Sequence, residues 1–266
     1  MTAAAEQVVI RCVGVSRQFG GLRALANVSF EVARDTITAL IGPNGAGKTT
    51  LFNLISGLDR ADAGRIEVHG QAIDGMQAHA IVHSLRLVRT FQSARLYSKL
   101  TVADNVRLGR HVRSRSGFLS STLKLPAARR EERDITGQAM RWLDFVGLGH
   151  RANAVAGTLS YGDQRLVEIA RALATEPRCL LLDEPGAGLN AQETNALANL
   201  IRAIRALPMT VLLIEHKMDM VMAISDQVTV LNFGEVIASG SPGAVQRDAR
   251  VIEAYLGKGE HHSGSD

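Results

Sequence analysis

The sequence has 266 residues, 46% of them apolar and 21% charged, with 6 prolines and 2 cysteines. At about 150 residues per domain, that length admits one large domain or two small ones, and the composition excludes extensive disorder and a disulfide-stapled scaffold. Lysine and arginine total 30 against 26 acids, a net charge of +4 that mildly favours polyanionic partners such as nucleotides or lipid head groups. No run approaches the roughly 18 uncharged apolar residues of a spanning helix, and residues 1–5 lack signal-peptide features, so the chain is expected neither to cross a membrane alone nor to be exported.

In chain order, Val8–Val15, Val28–Val32 and Thr36–Ile41 are short β-rich runs separated by turn residues that include Gly20 and Gly21, the pattern of an N-terminal sheet. Lys48–Leu58 reads as a helix, with Leu51, Phe52, Leu54 and Ile55 at helical spacing and Gly57 suited to its end. Arg65–Val68 and Gln71–Ile73 predict a strand pair bridged by His69 and Gly70. Strand signals fade from about Ser93 to Gly157, where Thr101–Gly109 and Arg129–Val146 predict helices around a looser stretch, Ser114–Pro126. Strands return at Cys179–Leu182, Thr210–Ile214 and Gln227–Leu231, separated by helical patterns at Gln164–Ala174, Ala191–Ala206 and Met218–Ala223. Such alternation implies a parallel, doubly wound α/β sheet. Lys258–Asp266 is polar, Gly/Ser-rich and expected to fray. Cys12 and Cys179 sit in or beside apolar runs, where a free thiol behaves as a small buried hydrophobe.

The stretch Gly42-Pro43-Asn44-Gly45-Ala46-Gly47-Lys48-Thr49 fits G-x-x-x-x-G-K-[ST] and lies between an apolar run and a helix, the context that motif requires. A chance match arises roughly once in a hundred chains of this length. Small residues let successive N–H groups turn toward an anion, and the helix N-terminus adds partial positive charge. Lys48 then reaches the β- and γ-phosphates, Thr49 ligates Mg²⁺ and Thr50 completes the phosphate-binding set. Cys179–Pro185 places Asp183 and Glu184 at the end of a buried strand, where open α/β sheets bind ligands. There Asp183 is the expected Mg²⁺ contact and Glu184 the group that polarises an attacking water. Asp183–Gly186 also spells D-x-x-G, and His216-Lys217-Met218-Asp219 is one residue from N-K-x-D, the two remaining elements of a GTPase. Histidine in place of asparagine removes the amide that reads guanine, and 183 − 48 = 135 residues is a long separation for a small GTPase.

Leu159-Ser160-Tyr161-Gly162-Asp163-Gln164-Arg165, just before an apolar-periodic helix, decides between them. Locally Ser160 is a good N-cap and Gly162 allows close backbone approach to a phosphate, although a plain capped helix accounts for the segment equally well. Here the chain resembles the ATP-binding cassette family, whose signature reads L-S-G-G-Q; Tyr161 and Asp163 depart from it. The resemblance runs from about Val8 to Gly257 and implies a P-loop NTPase of the cassette type. Its sheet is mostly parallel, with an N-terminal antiparallel β subdomain and an inserted α-helical subdomain. Residues 8–91 and 161–257 are then the nucleotide-binding core, 92–160 the helical subdomain, and 258–266 a tail on a single domain spanning 1–266. It further implies that Gln92 in Arg89-Thr90-Phe91-Gln92 contacts metal or water and that Phe19 stacks on adenine. Gly188-Leu189-Asn190 becomes the D-loop, with asparagine for the usual aspartate, and His216 the switch that contacts the γ-phosphate. Catalysis thus falls to Glu184, His216, Gln92 and Lys48, and metal binding to Thr49, Gln92 and Asp183. ATP is bound by Phe19, Gly42, Asn44 to Thr50, and across a head-to-tail dimer by Ser160, Gly162 and Asp163 of a second ATPase subunit, the same chain or a related one.

The wording of several of these motifs, with Ala254-Tyr255-Leu256-Gly257, is similar to that of ATPase subunits of bacterial branched-chain amino-acid importers. That similarity implies a peripheral ATPase on the cytoplasmic side of the inner membrane. It drives uptake through permease subunits, serves a periplasmic binding protein indirectly, and has no nucleic-acid partner. The other class in play is a soluble cassette ATPase acting on DNA or ribosomes; those usually carry a long coiled-coil insertion or two cassettes, whereas here Lys48 to Ser160 is 160 − 48 = 112 residues and one cassette is present. Lys217, where the group usually has aspartate, and Arg34-Asp35, where a glycine turn is usual, are departures. Between Arg107 and Arg133 eight basic residues face two acids, Glu131 and Glu132, either as a solvated helical face or as a surface near anionic lipids or the membrane subunits.

Overall fold

The computed structural model describes residues 7–91, 96–111 and 126–256. Two strands, β1 (Val8–Phe19) and β2 (Leu22–Ala33), form a hairpin longer than the two apolar runs predict, because backbone pairing continues through the polar residues up to the Gly20-Gly21 turn. With β4 (Ala63–Val68) and β5 (Gln71–Ala72) they make an antiparallel sheet in the order β2-β1-β4-β5. The second sheet is ordered β10-β9-β3-β8-β7-β6, from β3 (Ile37–Ile41), β6 (Leu87–Arg89), β7 (Cys179–Asp183), β8 (Thr210–Ile214), β9 (Gln227–Asn232) and β10 (Glu235–Gly240). Only β10 runs antiparallel to its neighbour. The expected mixture of a mostly parallel sheet and an N-terminal antiparallel one is what folds.

Period-2 alternation in the central strands feeds two cores. Leu180 and Leu182 of β7 and Val211 and Leu213 of β8 face the helical side, whereas Cys179, Leu181, Leu212 and Ile214 face α1 (Lys48–Ile55) and the antiparallel sheet. Both cysteines are free and buried, and burial pushes their thiols up in pKa. Helix α1 stops at Ile55 rather than Leu58, because Ser56 Oγ donates back to Phe52 O at 2.7 Å and Gly57 turns left-handed at φ 69. A short helix α2 (Ala78–Ala80) runs into a π-turn at Ile81–Leu85 that precedes β6. Neither this segment nor β6 and β10 is predicted from the sequence: three residues carry no period, and β10 is set by the Phe233-Gly234 turn, with φ 46 and 80.

The helical side holds α3 (Val102–His111), capped by Thr101 Oγ1, and α4 (Pro126–Phe145), both packed on α5 (Tyr161–Ala174). Helices α6 (Ala191–Ile204), α7 (Met218–Ile224), α8 (Pro242–Gln246) and α9 (Ala249–Leu256) follow. Most of the looser 114–126 stretch, and the tail, lie outside the described residues. The turn expected to need glycine is built by Asp35 at φ 56, whose N–H donates to Thr210 Oγ1 at 2.9 Å; aspartate tolerates that conformation better than most residues. Of the basic run, Arg107 pairs with Asp104 and Glu132, and Arg110 with Glu176.

Candidate active site

Parallel registration brings the chemistry to one edge. Leu40 lies opposite Ile214, and Ile214 opposite Asp183, so the segments leaving β3, β7 and β8 emerge side by side. After Ile41 the chain closes around glycine positions that admit no side chain. At Gly42 (φ 149) a Cβ would lie 2.0 Å from Leu231 O, and at Gly47 (φ 101) 2.5 Å from Ala24 O. The loop and α1 line a cavity of about 300 Å³ with Phe19, Asn44 to Thr50, Glu184 and His216 around it. Lys48 is buried and its Nζ donates to Gly42 O (2.8 Å) and Pro43 O (3.0 Å), a folded-back pose across the loop. Phe19 keeps a largely exposed ring at the cavity wall, with the Arg17 guanidinium 4.6 Å from its centroid.

Glu184 leaves β7 in a left-handed conformation, φ 46, its N–H bonded to Ile214 O, and its Oε1 lies 2.9 Å from His216 Nε2. That non-glycine turn aims the carboxylate into the cavity instead of along the strand. The preceding Asp183 does not line the cavity: its Oδ2 accepts from Arg89 at 2.7 Å, both side chains buried. Arg89 also donates to Asn53 Oδ1 and Ser56 Oγ of the α1 region. Among the described residues no cluster of three His, Cys, Asp or Glu side chains could hold a metal alone. A Thr49 hydroxyl in the first turn of α1 and a carboxylate oxygen, Asp183 Oδ1, without a hydrogen bond among the described residues nevertheless fit a cation that keeps most of its ligands as water and phosphate.

Gln92 lies outside the described residues, but its approach is fixed. Arg165 donates to Phe91 O and to Glu168 Oε2, and Phe91 N–H donates to Glu168 Oε1. Burial pushes the Glu168 carboxyl above its ordinary value even with Arg165 beside it.

Ser160 caps α5 by accepting from Asp163 N–H at 3.1 Å, and Gly162 lies against Glu193, where a Cβ would sit 2.8 Å from Oε1. Neither Ser160, Gly162 nor Asp163 lines the Lys48 cavity. Asn190 caps α6 in a reciprocal box with Glu193, both bonds 2.9 Å, a role that asparagine fills as well as aspartate.

Several residues that tie the site's loops and strands together escape sequence reasoning. Glu215, buried, accepts from the N–H groups of Gly186 (2.5 Å), His216 (2.9 Å) and Lys217 (3.3 Å) and holds two loops together. Arg89 and Arg165 are the others. Their partners are remote in sequence, and the motifs in which Arg89 and Arg165 stand assign them no role.

Residues 25–187 match the model of the ABC transporter family, and residues 235–261 that of the branched-chain amino acid ATP-binding cassette transporter. The chain is 43% identical over 251 residues to the high-affinity branched-chain amino acid transport ATP-binding protein BraF of Pseudomonas aeruginosa, covering 94% of this chain and 98% of that one. It is 42% identical over 254 residues to LivG of Escherichia coli, covering 95% and 99%. Among solved structures, the ADP conformation of MJ1267, an ATP-binding cassette of an ABC transporter, superposes with a TM-score of 0.81 at 33% identity, over 94% of this chain and 99% of that one. A nucleotide-free cassette superposes at 0.80, also at 33% identity, over 93% and 98%.

Proposed function

The chain belongs to the ABC transporter family and is its ATP-hydrolysing cassette subunit, and from that premise we propose that it powers import of branched-chain or closely related amino acids through partner permeases. The observation that carries the catalytic assignment is the Glu184 Oε1 to His216 Nε2 contact of 2.9 Å at the rim of the Lys48 cavity. In our reading Lys48 exchanges its loop carbonyls for the β- and γ-phosphates of ATP, and the N–H groups of residues 44–49 cradle them. Phe19 stacks on the adenine. Glu184 takes a proton from the water that attacks the γ-phosphorus, while His216 orients that carboxylate and meets the γ-phosphate. Thr49, Asp183 and Gln92 would hold Mg²⁺, which would supply neutralisation of the phosphate charge.

Ser160, Gly162 and Asp163 stand apart from this cavity, which supports a site completed by a second cassette bound head to tail. Loss of the γ-phosphate removes the contacts that favour the closed pair, so hydrolysis lets the pair open. A groove of about 730 Å³ is lined by Val88, Phe91, Leu96, Tyr97, Glu168 and Arg171, and we assign the permease contact to it. No helix among the described residues is long and apolar enough to cross a membrane, which suits a subunit held peripherally at the cytoplasmic face by those permeases.

Glu184→Gln is the test. The variant is expected to bind ATP as the wild type does and to lose roughly 10²–10⁴-fold in turnover; near-normal steady-state hydrolysis removes Glu184 as the base. Cargo is tested separately by uptake of labelled leucine, isoleucine and valine in cells lacking this chain. Undiminished uptake of all three assigns the transporter to other cargo.

A further inference from the structure

Lys217 stands where the resembling group usually has aspartate, directly before α7, and its side chain does not cap that helix. A cation at a helix N-terminus is opposed by the dipole. The ammonium runs the other way, donating to Leu189 O at 2.8 Å and to Thr194 Oγ1 at 2.7 Å. Thr194 in turn donates to Asn190 O at 2.7 Å, inside the first turn of α6. That turn rests on the start of α5: Glu193 is the group a Gly162 Cβ would strike, and a Cβ at Gly188 would lie 3.1 Å from the Tyr161 ring.

We propose that Lys217 is a positioning residue that fastens the His216 turn to residues 188–194 and, through the packing of Gly188 on Tyr161 and of Glu193 on Gly162, to the Ser160 turn. The inference rests on the two-cassette reading above. His216 serves the nucleotide in this chain's own cavity, and the Ser160 turn serves the nucleotide of the partner. With Lys217 in place the two report to each other within one chain. Aspartate at 217 has no N–H to offer Leu189 O and too short a stem to replace the ammonium.

The test uses the purified full chain with Mg-ATP and the variants Lys217→Met, Lys217→Arg and Thr194→Val. Loss of the donor is expected to lower kcat about tenfold with KM for ATP within twofold. Lys217→Arg should recover at least half of the loss, and Lys217→Met combined with Thr194→Val should be no slower than Lys217→Met alone, since both break one link. In the nucleotide-free chain, amide exchange at residues 187–190 and 160–163 should accelerate in Lys217→Met and stay slow in Lys217→Arg. A kcat within twofold of wild type, arginine as slow as methionine, or losses that multiply in the double variant would each overturn the proposal. Should Lys217→Met fail to fold, Lys217→Gln, too short to reach both acceptors, takes its place, and a wild-type rate for it overturns the proposal. Absence of hydrolysis in every chain, wild type included, counts against the functional reading instead, and the exchange data then decide on Lys217.

Discussion

The Arg89 guanidinium and the Asp183 carboxylate form an ion pair 2.7 Å long with each side chain only 6% exposed. The pair joins β6 to the end of β7, and the same guanidinium lies 5.5 Å from the Phe52 ring centroid and 5.6 Å from that of Phe91. It positions one carboxylate oxygen, Oδ2, and makes no hydrogen bond to the other.

Arg89→Leu leaves Asp183 as a buried charge without its partner. A loss of about 3–5 kcal/mol in unfolding free energy is expected, from the penalty of an uncompensated ion. Urea denaturation of the nucleotide-free chain measures it, and a loss below 1 kcal/mol, well under the range for broken buried pairs, places the carboxylate in contact with water.

Glu184 and His216 lie 2.9 Å apart, and in the proposed mechanism they work as one unit, so their losses should not multiply. His216→Ala introduced into Glu184→Gln is expected to lower the remaining turnover less than about threefold, whereas His216→Ala in the wild type costs much more. Steady-state phosphate release from the four chains checks this. Independent, multiplicative losses separate the two roles.

His69 bridges β4 and β5 at φ 52, and its Nε2 is buried with no hydrogen-bond partner among the described residues. Burial, with the Arg178 and Arg34 charges, holds it below its ordinary value of 6.5. The native state therefore keeps His69 neutral where the unfolded chain takes up a proton, so stability is full above pH 6.5 and falls as the pH drops from there through the native pKa. His69→Asn, which suits the same backbone conformation, should flatten that fall. Melting temperatures of both chains at pH 7.5 and 5.5 give the comparison; equal decreases rule His69 out.

Asn190→Asp is expected to be neutral for folding, since the two side chains rank alike as N-caps, while Asn190→Ala should cost about 1 kcal/mol. Chemical denaturation separates the two. An aspartate variant as unstable as the alanine one shows that the capping box is not what asparagine supplies.

By itself the amino-acid sequence determined the local parts of this protein. The Gly42–Thr49 loop, the acidic end of β7, the Ser160 cap and the N-terminal strands are written in neighbouring residues, because turn conformation, helix capping and alternation act over a few positions. Its resemblance to a known family supplied the order of the remaining motifs. Only the tertiary structure decided what those parts meet. Arg89 reaches Asp183 across 94 positions, and Lys217 reaches Leu189 across 28. Glu215 gathers N–H groups from two loops, and β6 exists only because β7 offers it a ladder. Such pairings depend on which strands lie side by side and in what register, a choice made by burial of the whole sheet rather than by any short stretch of chain.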